Sequence, residues 1–486
     1  MIKSTIHSVL CILFVLVSLS ACGGMPIKPS PVAPVTPEPT IQFKPCIAGS
    51  LRAQCGILTV YENRAAQTGR MIPLNIAIIR ANSAQKAAEA IFWLTGGPGE
   101  AATSDTGNIQ GLLPLLDERD LVLVDQRGTG GSNMVVPPKN PDWSGLSPAD
   151  VEKAYAAWIE KVLPTLEADP RYYTTSVAMG DLDEVRQVLG YEKIDLIGGS
   201  YGATAAQYYL RQHEQHVRSV VLISGSVGNI PLWKHQAANA QRALDALFSR
   251  CESDSDCHSA YPNLRSEFSA LMKKLNAQPI TVDMGNGTLT LTADLLAAKV
   301  EDMTRDTATA VGLPRLIHKA YAENSWQAFG SASYGDWDNT IMSYSIQCNE
   351  AWAAFSPEET YRWGQGSYLL GWNLSRANRY TLLCKYLPAG VNPEGDSQQP
   401  YSQVPVLLFN GELDPLDPPA NVALAKDIWP NSLALTLPGH GHSISDRSVW
   451  SCMMQITHQF LDDGSVRNLS TDCLQDIHPP SFPTHP

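Results

Sequence analysis

The chain has 486 residues, 44% of them hydrophobic, which is enough apolar material for a large buried core and more length than one ordinary domain needs. Lys and Arg total 35 against 48 Asp and Glu, a formal charge of −13 with no basic cluster to offset it, so phosphate backbones are repelled and nucleic acid is excluded as a partner. Nucleotide-type phosphate loops, flavin or nicotinamide fingerprints and internal repeats are also missing, so no cofactor is expected.

In chain order, residues 1–21 read as a lipoprotein signal peptide: Lys3 gives a positive start and Val9 to Leu19 a short apolar core. That run is too short to span a bilayer. Leu19-Ser20-Ala21-Cys22 has the form of a lipobox, implying cleavage before Cys22 and lipidation of its thiol; a plain secretory signal is the alternative. Gly23 after the cysteine resembles outer-membrane sorting in Gram-negative cells. The expected location is therefore the cell envelope, with the membrane as partner through the N-terminal lipid. Residues 22–45 are rich in proline and read as an extended tether.

Strands and helices alternate from about Gly56 to Gly225. The buried-strand run Ile91 to Leu94 opens into Thr95-Gly96-Gly97-Pro98-Gly99-Glu100. Leu121 to Val124 runs into Asp125-Gln126-Arg127-Gly128-Thr129-Gly130-Gly131-Ser132, a structural turn in which Arg127 is expected to be tethered to a carboxylate. Lys193 to Ile197 then meets Gly198-Gly199-Ser200-Tyr201-Gly202, followed at once by an alanine- and tyrosine-rich helical stretch. This is a G-x-S-x-G turn between strand and helix, where the tight geometry holds the Ser200 hydroxyl at the tip of the sheet as a nucleophile. Tyr201 and Gly97 fit the two backbone donors that an oxyanion needs.

From Gln236 to Phe248, Asn263 to Leu275 and Leu295 to Ala322 the pattern is helical, and strand character resumes near Val404. The organisation expected is a core over 46–225, a helical insertion over 226–400, a C-terminal core part over 401–475 and a Pro-rich tail over 476–486. The fold class is thus α/β, a mostly parallel sheet flanked by helices.

A serine nucleophile needs a histidine base, and the base a carboxylate that fixes its tautomer. After Val404 to Phe409 comes Asn410-Gly411-Glu412-Leu413-Asp414-Pro415-Leu416-Asp417, in which three carboxylates compete. Asp414 is favoured because the proline after it restricts its backbone. The strand-like Leu433 to Leu437 leads into Pro438-Gly439-His440-Gly441-His442-Ser443, where either histidine can serve. His213 and His216 read as loop residues, His458 as a helix-surface residue, and His478 and His485 belong to the tail.

Taken in this order and spacing, GGPG, DQRGTGGS, GGSYG, GELDPLDPP and PGHGH resemble the secreted tripeptidyl aminopeptidases and related proline iminopeptidases of the α/β-hydrolase superfamily, from about Cys46 to Cys473. The resemblance implies Ser200 as nucleophile, Asp414 as acid and His442 rather than His440 as base, because the family's Gly-x-Gly-His places its histidine fourth. It makes the helical insertion a cap over the nucleophile that sets specificity. Thr95 stands where the iminopeptidases have His, and Asp417 where Thr is frequent. An aminopeptidase must also hold a substrate ammonium, and the resemblance places an acidic residue just after Cys348-Asn349, which is Glu350. The implied partner is a peptide with a free N-terminus.

Without Cys11 in the signal and Cys22, eight cysteines remain for an oxidising compartment. Short loops and the family pattern favour Cys46–Cys55, Cys251–Cys257, Cys348–Cys384 and Cys452–Cys473. No Cys-x-x-Cys pair occurs and no metal is expected. Three functions compete: a lipid-anchored serine exopeptidase, an esterase or lipase on the same triad, and a non-catalytic envelope binding protein. The complete set Ser200, Asp414 and His442 speaks against the third.

Overall fold

A sheet covered on both faces demands apolar runs without polar alternation, and the chain supplies them at Ala90–Leu94, Leu121–Val124 and Val406–Gly411, every residue of which is buried. The computed structural model describes residues 41–138, 148–228, 233–285, 287–330, 340–351, 356–391 and 401–484. The expected signal peptide, Cys22 and most of the tether lie outside the described residues.

The strands are β1 (Lys44–Ala48), β2 (Leu51–Tyr61), β3 (Met71–Ile79), β4 (Ala90–Leu94), β5 (Leu121–Val124), β6 (Ile194–Gly199), β7 (Val217–Ile223), the hairpin β8 (Ile280–Asp283) and β9 (Thr288–Leu291), β10 (Val406–Gly411) and β11 (Ser432–Leu437). Nine of them form one sheet in the order β1-β2-β3-β5-β4-β6-β7-β10-β11. From β5 to β11 every pairing is parallel; β1, β2 and β3 join antiparallel at one edge. This is the mostly parallel α/β architecture that the sequence predicts. Neighbouring residues point to opposite layers: Phe92, Leu196, Leu222 and Leu408 pack on one face, Trp93, Ile197, Ile223 and Phe409 on the other.

Between β7 and β10 the chain leaves the sheet. Gln236–Ser253, Leu264–Ala277, Ala293–Thr304, Leu313–Ala322 and Leu370–Tyr386 are its longer helices, around a third core that includes Leu244, Phe268, Leu296, Ile317 and Phe329. Two features differ from the sequence reading. The β8–β9 hairpin was not expected, and the helical stretch expected over Leu295 to Ala322 is three helices. Asp306 accepts hydrogen bonds from the Ala308 and Thr309 amides and so starts a new helix, Thr307–Ala310, while Pro314 opens the next.

Among the described residues four disulfides are present, Cys46–Cys55 between β1 and β2, Cys251–Cys257, Cys348–Cys384 and Cys452–Cys473. Among the described residues no helix is long and apolar enough to cross a membrane, and no cluster of His, Cys, Asp and Glu could hold a metal ion.

Candidate active site

The carboxyl ends of β4, β6, β10 and β11 converge on one cavity, as open parallel sheets dictate. Ser200 follows β6 directly, with φ 53° and ψ −121°, between the strand and the helix Tyr201–His213. Such a backbone costs on the order of 1–3 kcal/mol and is held by close packing. A Cβ on Gly202 would lie 1.9 Å from the Leu94 carbonyl oxygen, and one on Gly198 2.3 Å from that of Gly202. Only glycines let the helix start this close to the sheet.

His442 Nε2 lies 2.9 Å from Ser200 Oγ, and its Nδ1 lies 2.9 and 3.1 Å from the two oxygens of Asp414. Asp414 is completely buried, and its Oδ1 also accepts the amides of Leu416 and Asp417. Burial works to lower the His442 pKa, but the charge and hydrogen bond of Asp414, with Asp417 beyond it, outweigh burial and hold it above the ordinary histidine value.

The other members of the two loops take different places. His440 is buried with Nδ1 2.8 Å from the Pro438 carbonyl, away from Ser200, and Glu412 accepts the Gly439 amide. Asp417 accepts from Ser226 Oγ and stands 3.8 Å from His442 Nδ1; burial, then the Asp414 charge, push its carboxyl up to about 6. Arg127, fully buried, forms a two-pronged ion pair with Asp181.

Tyr201 is the first residue of its helix, so its amide has no intrahelical acceptor. Gly97, with φ 108°, lines the cavity beside Ser200. Glu350 is elsewhere: its carboxylate accepts the Thr175 amide at 2.8 Å and the Thr175 hydroxyl at 2.6 Å, and that hydroxyl shares a 2.8 Å hydrogen bond with Tyr201 OH. It is not among the described residues that line the cavity.

The helical insertion completes the site. Arg242 donates to the backbone carbonyls of Glu412 and Asp414, pinning the acid turn. The carbonyl of Arg305 accepts the Ser443 amide, and Thr307 Oγ1 accepts the Gly441 amide and donates to the Gly439 carbonyl, so the insertion grips both sides of His442. A cavity of about 340 Å³ opens above Ser200, walled by Trp93, Trp233, Trp450 and Leu416 and including Glu100 and Arg305. Sequence reasoning missed Trp233, Arg305 and Thr307, which sit in no motif. Glu100 was visible at the end of the Gly-Gly-Pro-Gly loop but carried no assigned role.

Residues 89–447 match the family described as "alpha/beta hydrolase fold". The putative hydrolase YuaR of Escherichia coli is 24% identical over 263 residues, 50% of this chain and 52% of that protein. The serine protease Hip1 of Mycobacterium tuberculosis is 24% identical over 252 residues, 48% of this chain and 46% of that one. The chain spans about half the length of the curated relatives it matches. A crystal structure of proline iminopeptidase from Mycobacterium smegmatis aligns with 84% of this chain and 98% of its own at 14% identity and a TM-score of 0.36.

Proposed function

This chain belongs to the α/β-hydrolase family, and from that premise we propose that it is a serine exopeptidase, lipid-anchored in the cell envelope, that releases short N-terminal pieces from peptides. The observation that carries this reading is the unbroken hydrogen-bonded line Ser200–His442–Asp414 beside a cavity to which the helical insertion contributes Trp233 and Arg305. Ser200 Oγ attacks the scissile carbonyl while His442 Nε2 takes its proton; Asp414 holds the Nδ1–H and stabilises the imidazolium. The Gly97 and Tyr201 amides receive the oxyanion. His442 then returns the proton to the leaving amine, and a water, activated by the same histidine, releases the acyl group. Walls supplied by the insertion, Trp233 and Arg305, narrow the space beside Ser200 and suit a substrate that enters by its end, which favours exopeptidase over endopeptidase action. The distant likeness to a serine protease and the five ordered motifs support peptide over ester as the natural substrate.

The test is a matched panel offered to the purified protein: tripeptidyl and single-residue amides with free or acetylated N-termini, and simple esters. Faster cleavage of the free-amine peptides is expected. Turnover of esters alone would make the enzyme an esterase, and preference for blocked peptides an endopeptidase. For the anchor, Cys22→Ser is expected to abolish lipid labelling and release the protein from the membrane fraction; a wild-type protein that is soluble and unlipidated refutes the anchor without touching the chemistry.

A further inference from the structure

We propose that Glu100 is a specificity residue that binds a cationic nitrogen of the substrate, either an α-ammonium or a basic side chain. The proposal rests on Ser200 being the nucleophile that works in this cavity. Glu100 follows the Gly-Gly-Pro-Gly turn that carries Gly97, so it is fixed to the same loop as a proposed oxyanion donor. Its Oε2 and the Ser200 Cβ both lie 3.4 Å from one point, the place a Cβ on Gly96 would occupy, so carboxylate and nucleophile border the same space beside Gly96.

Among the described residues lining the cavity, Glu100 is the sole carboxylate, and it is only partly buried. Its hydrogen bonding is incomplete. Thr95 Oγ1, at 3.3 Å, is its one hydrogen-bond partner among the described residues, and that hydroxyl has a single proton, which Asp105 claims from the closer distance of 3.0 Å. Asp105 is itself saturated by Trp93 Nε1 and Asn108 Nδ2, so it has no capacity left for a ligand. The positive lining residue contributed by the insertion does not neutralise Glu100, since Arg305 is paired with the fully buried Glu301 at 3.0 and 2.8 Å.

A negative group with an open acceptor, on the cavity wall near the nucleophile, is a cation site in search of its cation. Burial and then the neighbouring Asp105 push the Glu100 carboxyl above the ordinary glutamate range, a cost that a bound ammonium reverses. The overall charge of −13 draws the same class of substrate toward the protein.

The experiment uses full-length protein in detergent and four p-nitrophenyl esters, of norleucine and of lysine, each with its α-amine free or acetylated. Acetyl-norleucine is the uncharged reference, and the readout is the kcat/KM of each charged ester divided by that of the reference. Wild type is expected to prefer a charged ester, Glu100→Gln to lower that ratio roughly ten- to hundredfold, and Glu100→Asp to retain part of it. If the ratio for free norleucine falls, the ligand is the α-ammonium; if that for acetyl-lysine falls, it is the side chain. A wild type without preference, or a ratio unchanged in Glu100→Gln whatever happens to the absolute rates, overturns the proposal. Because all four substrates are esters, hydrolysis of these with no action on peptides would refute the peptidase reading and still leave the Glu100 ratio readable.

Discussion

Asp417 Oδ2 lies 3.8 Å from His442 Nδ1, the nitrogen that Asp414 holds at 2.9 Å, so two carboxylates bear on one edge of the proposed base. Asp417 titrates near 6, and on losing its proton it adds a second negative charge that favours the imidazolium. Arg305 opposes that effect from the insertion. Asp417→Asn removes the second charge, so His442 gives up its proton at lower pH. The acidic limb of the kcat/KM profile is expected to move to lower pH; an unmoved limb means that Asp417 does not act on His442.

Ser200→Ala is expected to abolish hydrolysis and covalent labelling by a fluorophosphonate, with the thermal midpoint within a few degrees of wild type. His442→Ala is expected to cost roughly 10⁴-fold or more in kcat, since members of such an array act as a unit. His440→Ala removes a buried ring whose Nδ1 is bonded to the Pro438 carbonyl. It lowers the melting temperature but stays far more active than His442→Ala. The opposite ranking of the two histidines overturns the assignment.

Glu350 grips the first residue of the helix Thr175–Leu189, and through Thr175 it reaches Tyr201 OH. Glu350→Gln keeps the shape and weakens both bonds. The expected loss is about tenfold in kcat/KM, equal for free-amine peptides, acetylated peptides and esters. A loss confined to free amines would instead make Glu350 the ammonium anchor that the sequence resemblance implies.

Thr307→Val replaces a hydroxyl by a methyl of similar size and leaves the buried Gly441 amide without its acceptor, at a cost on the order of 1–3 kcal/mol. Because the damage falls on the loop that aims His442, kcat is expected to drop while KM changes little. Equal effects on KM and kcat would assign Thr307 to substrate binding.

Much of this molecule is decided by local sequence. Uninterrupted apolar runs such as Ile91 to Leu94 demand a sheet buried on both faces, and the glycines on either side of Ser200 are required wherever a strand turns at once into a helix. These are properties of a few consecutive residues, so the α/β class is legible without coordinates. The same holds for the breaks at Asp306 and Pro314, whose capping chemistry was present in the sequence but was read as one continuous helix.

What the residues themselves left open was decided at long range. Glu412, Asp414 and Asp417 share one turn, where only the proline after Asp414 favours it, and the residues of the other loop do not separate His440 from His442. The parallel pairing of β10 with β11 sets the two loops side by side, and the grip of Arg305 and Thr307 then turns His442 toward Ser200 and seats His440 against Pro438. Glu100 became a cavity wall, and Glu350 a brace for Tyr201, in the same way. Periodicity and turn chemistry determine which side chains are buried; only packing between distant segments determines which acid and which base meet the nucleophile, because those partners lie more than a hundred residues apart, as Ser200 is from His442.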